Sequence, residues 1–150
     1  MTYIAQFFAM MLTALFIENI IFTRALGTSW LLYLIKKPNE LFRCTVLLKV
    51  ITTLSGAIGY PLRGLVEQSE HSYILVPMMY ILCIAVVYIG VYFFIKHVMP
   101  ETFVNAEFNL GAAAFNCAVL GSLLVPSVGR MDFVSTVGYG LGMSLGFALA

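Results

Sequence analysis

The run FNLGAAAFNCAVLGSLLVP, Phe108 to Pro126, constrains this chain more than any other stretch. It carries no charge and is about as long as the roughly 20 residues a helix needs to cross a bilayer. Yet Asn116 and Cys117 sit in its middle, and Gly111 and Gly121 loosen its two halves. In hydrocarbon a carboxamide must find hydrogen-bond partners, and backbone released from a helix must be covered by protein. A simple anchor requires neither. A thiol at that depth is either inert packing, the commoner use of a buried cysteine, or a metal ligand.

Composition puts the run in a membrane. The chain is 61% hydrophobic and only 10% charged, against an apolar share of about 45 to 50% in soluble domains, which effectively excludes a soluble enzyme. Twelve glycines without a collagen period suit transmembrane helices whose backbones approach closely. A net charge of +1 with no basic cluster gives no footprint for nucleic acid. Three cysteines, Cys44, Cys83 and Cys117, lie in or beside apolar segments. An odd number so placed is not a secreted disulfide framework. The first basic residue is Arg24, and the apolar region before it is too long for a signal peptide, so the first segment is expected to stay in the mature protein. No Ser/His/Asp grouping, Walker loop or dinucleotide fingerprint occurs.

Read in order, the chain is expected to be a single transmembrane domain with spans at about 3–22, 44–62, 72–95, 108–126 and 133–150. Apolar sequence from Tyr3 to Ile35 is interrupted only by Glu18 and Arg24. As one helix it would run about 50 Å, well beyond the roughly 30 Å of a bilayer core. A break at Leu26, Gly27 and Thr28 is therefore expected, followed by a short piece and the polar loop KKPNELFR, Lys36 to Arg43. Lys96 to Glu107 reads as a polar connection, and the last segment ends inside apolar sequence, so the chain reads as cut short. The connections after spans one and three carry Arg24, Lys36, Lys37, Arg43 and Lys96, and the other two carry Arg63 and Arg130. That bias predicts a multi-pass protein with its N-terminus outside.

Few side chains can carry chemistry. Glu18, about a turn inside its span, is either an interfacial group bonded to backbone or Lys49, or part of an ion path. Lys49 can snorkel outward. His71 and His97 lie in loops without metal-site spacing, and Cys44 and Cys83 read as small apolar filler. The glycines Gly138, Gly140, Gly142 and Gly146 make a small-residue helix face. A faint internal echo, Asn19 then Leu26 and Gly27 against Asn116 then Leu120 and Gly121, suggests an inverted repeat with its site at the midplane.

Taken together, FIENIIFTRALGTSWL (Phe16 to Leu31) with Lys36 and Lys37, FNCAVLG (Phe115 to Gly121) and VGYGLGMSLGF (Val137 to Phe147) resemble the RnfA/NqrE type of Rnf and Nqr membrane subunits, in the right order and across the whole chain. The resemblance implies an all-α integral membrane protein, a polytopic helix bundle built as an inverted repeat of three-helix halves with broken helices, five spans being present of an expected six. It implies a multi-pass subunit of a redox-driven ion translocase in a bacterial or archaeal-type cytoplasmic (inner) membrane. Such a complex transfers electrons in the manner of an NADH:quinone or ferredoxin:NAD oxidoreductase while moving Na⁺ or H⁺, and this chain is not catalytic alone. The implied partners are a homologous membrane subunit of the RnfE/NqrD type and the other members of the complex, and the implied cofactor is a [2Fe–2S] cluster shared with that homologue.

By that resemblance Cys117 is the metal ligand, Asn19, Gly27, Ser29, Asn116 and Gly121 shape the cofactor site in the broken helices, and Glu18 lines the ion path. The sequence departs from the pattern where Ser29 follows Leu26, Gly27 and Thr28 in place of the family's other Cys. A serine oxygen is a harder, far less acidic ligand than a thiolate, which puts a four-thiolate cluster in question. The charge-free third span also lacks an acidic residue expected of the family, and GAAAF stands where bulkier residues precede the NCA motif. Two alternative readings remain: a cluster-free structural subunit, or a small ion transporter using Glu18 and Lys49.

Overall fold

The computed structural model describes residues 2–26, 28–34, 36–98 and 100–149; within these, the side chains at 2, 20, 30, 31, 38 and 100–106 fall outside the description. The described residues are all-helical, with no strand. The chain is a polytopic membrane helix bundle. In order come α1 (Thr2–Leu12), a π-helical segment (Thr13–Ile17), α2 (Ile20–Arg24), α3 (Thr28–Leu34), α4 (Pro38–Val66), α5 (Ser72–Val98), α6 (Pro100–Ala114), α7 (Cys117–Val128) and α8 (Phe133–Leu149). Asn39–Val66, Ser72–Val98 and Glu107–Val128 are long and apolar enough to cross a membrane, and Tyr3–Ile17 and Phe133–Leu149 are shorter apolar helices.

The helix ends follow local chemistry. α4 begins within the expected polar loop, because Pro38 suits a first helical turn and Glu40 complements its positive end. Lys37 donates to Glu40 at 3.2 Å, and that bond holds its ammonium above the ordinary lysine range. At the other end Arg63 pairs with Glu67 one turn on, at 3.3 Å. Arg63 also sits 5.3 Å from the Tyr60 ring and reaches the carbonyls of Pro126 and Met131 at 3.5 Å. It thereby ties the end of α4 to the turn between α7 and α8. The expected connection before Glu107 is largely helical, since α6 starts at Pro100.

Two close approaches hold the bundle together. α8 packs along α1 and the π-helical segment through Gly138, Gly142 and Gly146, spaced four apart on one face. A Cβ at Gly138 would lie 2.7 Å from the Phe7 carbonyl, one at Gly142 would overlap the Met11 carbonyl, and one at Gly146 would lie 2.8 Å from Asn19 Nδ2. The expected small-residue face thus has a partner. On the other side Tyr80 of α5 lies against Gly59 of α4, where a Cβ would meet the ring at 2.5 Å. Without a strong hydrophobic force between helices in lipid, such close packing and interhelical hydrogen bonds supply the association. Cys44 and Cys83 are buried in this core, in agreement with packing roles. Large apolar side chains such as Leu82, Val86, Phe93 and Phe94 point outward, as a surface bathed in lipid or covered by other subunits requires.

Candidate functional site

Two helices break inside apolar sequence, and both breaks are built on asparagine. In the first, the π-helical segment ends with the Glu18 N–H donating to Thr13 O at 2.8 Å, a bond five residues back. The chain then leaves the helix. Asn19, 3% exposed, donates through Nδ2 to Leu15 O (3.2 Å) and Gly146 O (3.0 Å), while its Oδ1 accepts from the Ile21 N–H (3.1 Å). That acceptor caps α2 by satisfying one of the amide groups a helix start leaves unpaired. The backbone breaks again at Ala25, whose φ of 53° ends α2. The first interruption therefore falls at Glu18 and Asn19, ahead of the one expected at Leu26 to Thr28.

The second break separates α6 from α7. Asn116 has extended backbone (φ −76°, ψ 133°), and its Oδ1 accepts from the Ala118 N–H at 3.0 Å, the same device as at Asn19. Its Nδ2 is buried and, among the described residues, has no hydrogen-bond partner. Cys117 is the first residue of α7, with Sγ 3.7 Å from Asn116 Oδ1, and its side chain is exposed.

These breaks shape three clefts. Ala25, Thr28 and Ser29 face Ala112, Phe115, Asn116 and Cys117 across a space of about 260 Å³. The fold thus brings Ser29, Asn116 and Cys117 to one place from opposite halves of the chain. On its other side Cys117 borders a mostly apolar cleft of about 310 Å³ against Ile81, Ile84 and Leu120. Gly121 belongs elsewhere. It lines a third cleft of about 440 Å³, together with Glu18 and Arg24, that extends along α7 to Val128 and Gly129. Gly27 lies outside the described residues.

Glu18 has a partner the sequence did not suggest. Its Oε2 accepts from the Tyr139 hydroxyl at 3.1 Å, while Lys49 lies exposed on α4. Tyr139 is buried in the glycine-rich α8, and that a phenol with a polar tip sits among glycines was the only signal available. The bond from Asn19 to Gly146 O is likewise invisible along the chain, because its ends are 127 residues apart.

The donor set bears on what the cleft can hold. Among the described residues no three His, Cys, Asp or Glu gather as a metal site. One thiol and one hydroxyl meet at the 260 Å³ cleft, half of what a four-ligand cluster needs. The remaining half has room, since the Cys117 side chain is exposed. Asn116 Nδ2 is a buried donor without a hydrogen-bond partner among the described residues. The residues present fit one half of a shared site.

A family described as Rnf-Nqr subunit, membrane protein, matches residues 7–150. One protein of the Na⁺-translocating ferredoxin:NAD⁺ oxidoreductase complex of Acetobacterium woodii is 29% identical over 140 residues, covering 93% of this chain and 73% of that protein. One protein of the Na⁺-translocating NADH-quinone reductase of Nitrosomonas europaea is 31% identical over 151 aligned positions, covering 93% of this chain and 74% of its own length.

Proposed function

Because the chain belongs to the Rnf-Nqr family of membrane subunits, we propose that it is an electron-carrying subunit of an ion-translocating oxidoreductase complex. In this reading it pairs with a homologous membrane subunit in the cytoplasmic membrane of a bacterium or archaeon, with its N-terminus outside. Cys117 and Ser29 would hold one half of an iron–sulfur cluster, the homologue supplying the other half, and the bound cluster would supply one-electron transfer. The observation that carries the reading is the cleft that joins Ser29 to Cys117 from two separate breaks.

The chain's own residues have definite tasks in this scheme. Asn116 fixes the start of α7, so that Cys117 is presented at a helix N-terminus, where the helix dipole favours an anion. Its unpartnered Nδ2 is available to donate to a ligand sulfur, and such hydrogen bonds help set the potential of a cluster. Asn19 closes the other break against α8, and this holds the approach to Ser29 in place. The homologous subunit would seal the exposed side of Cys117 from water.

Ser29 favours a second reading, in which the chain is a structural subunit of such a complex without a cluster. Iron content and low-temperature EPR after dithionite reduction, on the chain purified with its homologous partner, separate the two. A [2Fe–2S] signal that Cys117→Ser abolishes is the expected result. An intact complex without iron would remove the electron-carrying role and leave the structural one.

A further inference from the structure

We propose that the groove between α4 and α5 binds one anionic phospholipid, with an acyl chain lying along the groove and the headgroup held at its basic mouth. The site is separate from the helix breaks and independent of any cluster. It begins with a glycine that the packing of the chain does not explain. Gly59, Gly138, Gly142 and Gly146 each face an atom that a Cβ would meet, whereas a Cβ at Gly90 would meet nothing within 4 Å. Gly90 lies inside α5, in a helix interior where glycine is destabilising relative to alanine. What it gains in return is depth on the outer surface.

The groove so formed has a volume of about 650 Å³, more than any of the three clefts at the breaks, and apolar side chains line it around Gly90. Its α4 wall runs from Val46 to Ile58 and its α5 wall from Val86 to Ile95. At 1.5 Å per residue the longer wall extends about 18 Å, close to one leaflet's share of the roughly 30 Å hydrocarbon core. Just past Ile58 the helices close, with the Tyr80 ring against Gly59. A partner's transmembrane helix needs a seat through the whole core; a groove that ends half-way fits an acyl chain. The open end is basic. Arg43 lies three residues before Val46 and four before Leu47, so it continues the stripe of α4 that forms the wall. It is exposed and makes no ion pair among the described residues. α4 and α5 are consecutive neighbours, so the last turn of α5, with Lys96 and His97, ends beside the start of α4. Along the sequence Lys36, Lys37, Arg43, Lys49 and Lys96 outnumber Glu40, Glu101 and Glu107 at this end, and Lys37 already holds Glu40 at 3.2 Å. Basic residues at the mouth of a groove between transmembrane helices recognise anionic headgroups, and the cytoplasmic leaflet, which this end faces in the orientation proposed above, is the anionic one.

The test uses the complex containing this chain, freed of lipid by detergent exchange and titrated with dioleoyl phosphatidylglycerol, dioleoyl phosphatidylcholine or glycerol phosphate. Bound lipid is counted by native mass spectrometry, and the unfolding midpoint is followed alongside, since a ligand of the folded state raises it. The expected result is a phosphatidylglycerol site in the parent complex that Gly90→Leu removes by filling the groove. Arg43→Gln weakens that site about 5-fold, the worth of one basic residue beside an anionic headgroup, and leaves phosphatidylcholine binding unchanged. Arg130→Gln, in the turn after α7 at the far end of α4, changes neither. Glycerol phosphate gives no rise in the midpoint, because the groove holds the chain. A Cβ at position 90 meets open space and leucine favours a helix, so without lipid the Gly90→Leu midpoint equals or exceeds the parent's. A lipid site that survives both variants, or no lipid retained by the parent complex, overturns the proposal. Equal binding of the two lipids that Arg43→Gln does not alter overturns the anionic assignment. A folded Gly90→Leu chain that no longer assembles gives the groove to a partner helix and overturns the lipid site. Should Gly90→Leu not fold, Arg43→Gln decides alone. An iron-free complex leaves this site untouched, and loss of this site leaves the cluster reading untouched.

Discussion

The breaks at Asn19 and Asn116 use the same cap and end in opposite states. At each, the side-chain oxygen accepts the N–H two residues on, Ile21 in one case and Ala118 in the other. At Asn19 the amide nitrogen is also spent, on Leu15 O and Gly146 O, and α8 closes over the break. At Asn116 the nitrogen is buried with no partner among the described residues, and the adjacent Cys117 is exposed between two clefts. A satisfied break is architecture. A break with a buried donor unspent among the described residues is a candidate for function, as polar groups inside a membrane protein generally are.

The sharpest way to break this contrast is Asn19→Ala. It removes the cap of α2 and both donated bonds, the part-buried one to the Leu15 carbonyl and the buried one to the Gly146 carbonyl. With about 1 kcal/mol for a cap and about 1 to 3 kcal/mol for the buried Gly146 carbonyl left unsatisfied, the expected loss is about 3 kcal/mol. It is read as a lower unfolding midpoint in detergent. A loss under about 1 kcal/mol would show that the first break is not held by its asparagine. Gly142→Ala probes the same closure from α8. Its methyl meets the Met11 carbonyl and lies 2.9 Å from the Ala14 Cβ, so α1 and α8 must separate, at about 2 kcal/mol by the usual cost of overpacking. The same midpoint measures it.

Asn116→Ala should cost less, about 1 kcal/mol, because one cap bond is lost and an unpartnered donor is removed with it. A loss equal to that of Asn19→Ala would mean that the second break is closed as fully as the first. The two substitutions separate in function as well. With the proposed cluster at Cys117, Asn116→Ala should change the EPR signal of the complex through the lost Nδ2 donor, while Asn19→Ala changes stability.

Much of this was legible in the sequence. Charge and apolar length fixed an all-helical membrane bundle, and an asparagine within each of two apolar runs marked two breaks. The positions of those breaks were less legible. The break expected at Leu26 to Thr28 is present, since α2 ends at Arg24 and α3 begins at Thr28, but sequence missed the earlier opening at Glu18, where Asn19 offers a side-chain cap after the π-helical turn. Four residues carry Gly121 just over one helical turn along α7, to the cleft that Glu18 lines. Glu18 with Tyr139 and Asn19 with Gly146 were out of reach, since both depend on how α8 lies against α1 and no local pattern encodes that.

The smallest expected effect on stability tests the contrast most directly. Ser29 is exposed at the cleft it shares with Cys117, and a change from hydroxyl to thiol there should move stability by no more than about 0.5 kcal/mol. Its chemistry changes far more. A thiolate is soft where a serine oxygen is hard, so Ser29→Cys gives the half-site two sulfur ligands from two breaks and should raise the iron bound per complex. A rise with unchanged stability would mean that the two breaks meet at one ligand site, the first supplying a ligand while its asparagine does structural work. If iron stays constant while Cys117→Ser still removes it, Ser29 lies outside the coordination sphere, and the first break is architecture from Asn19 to its end.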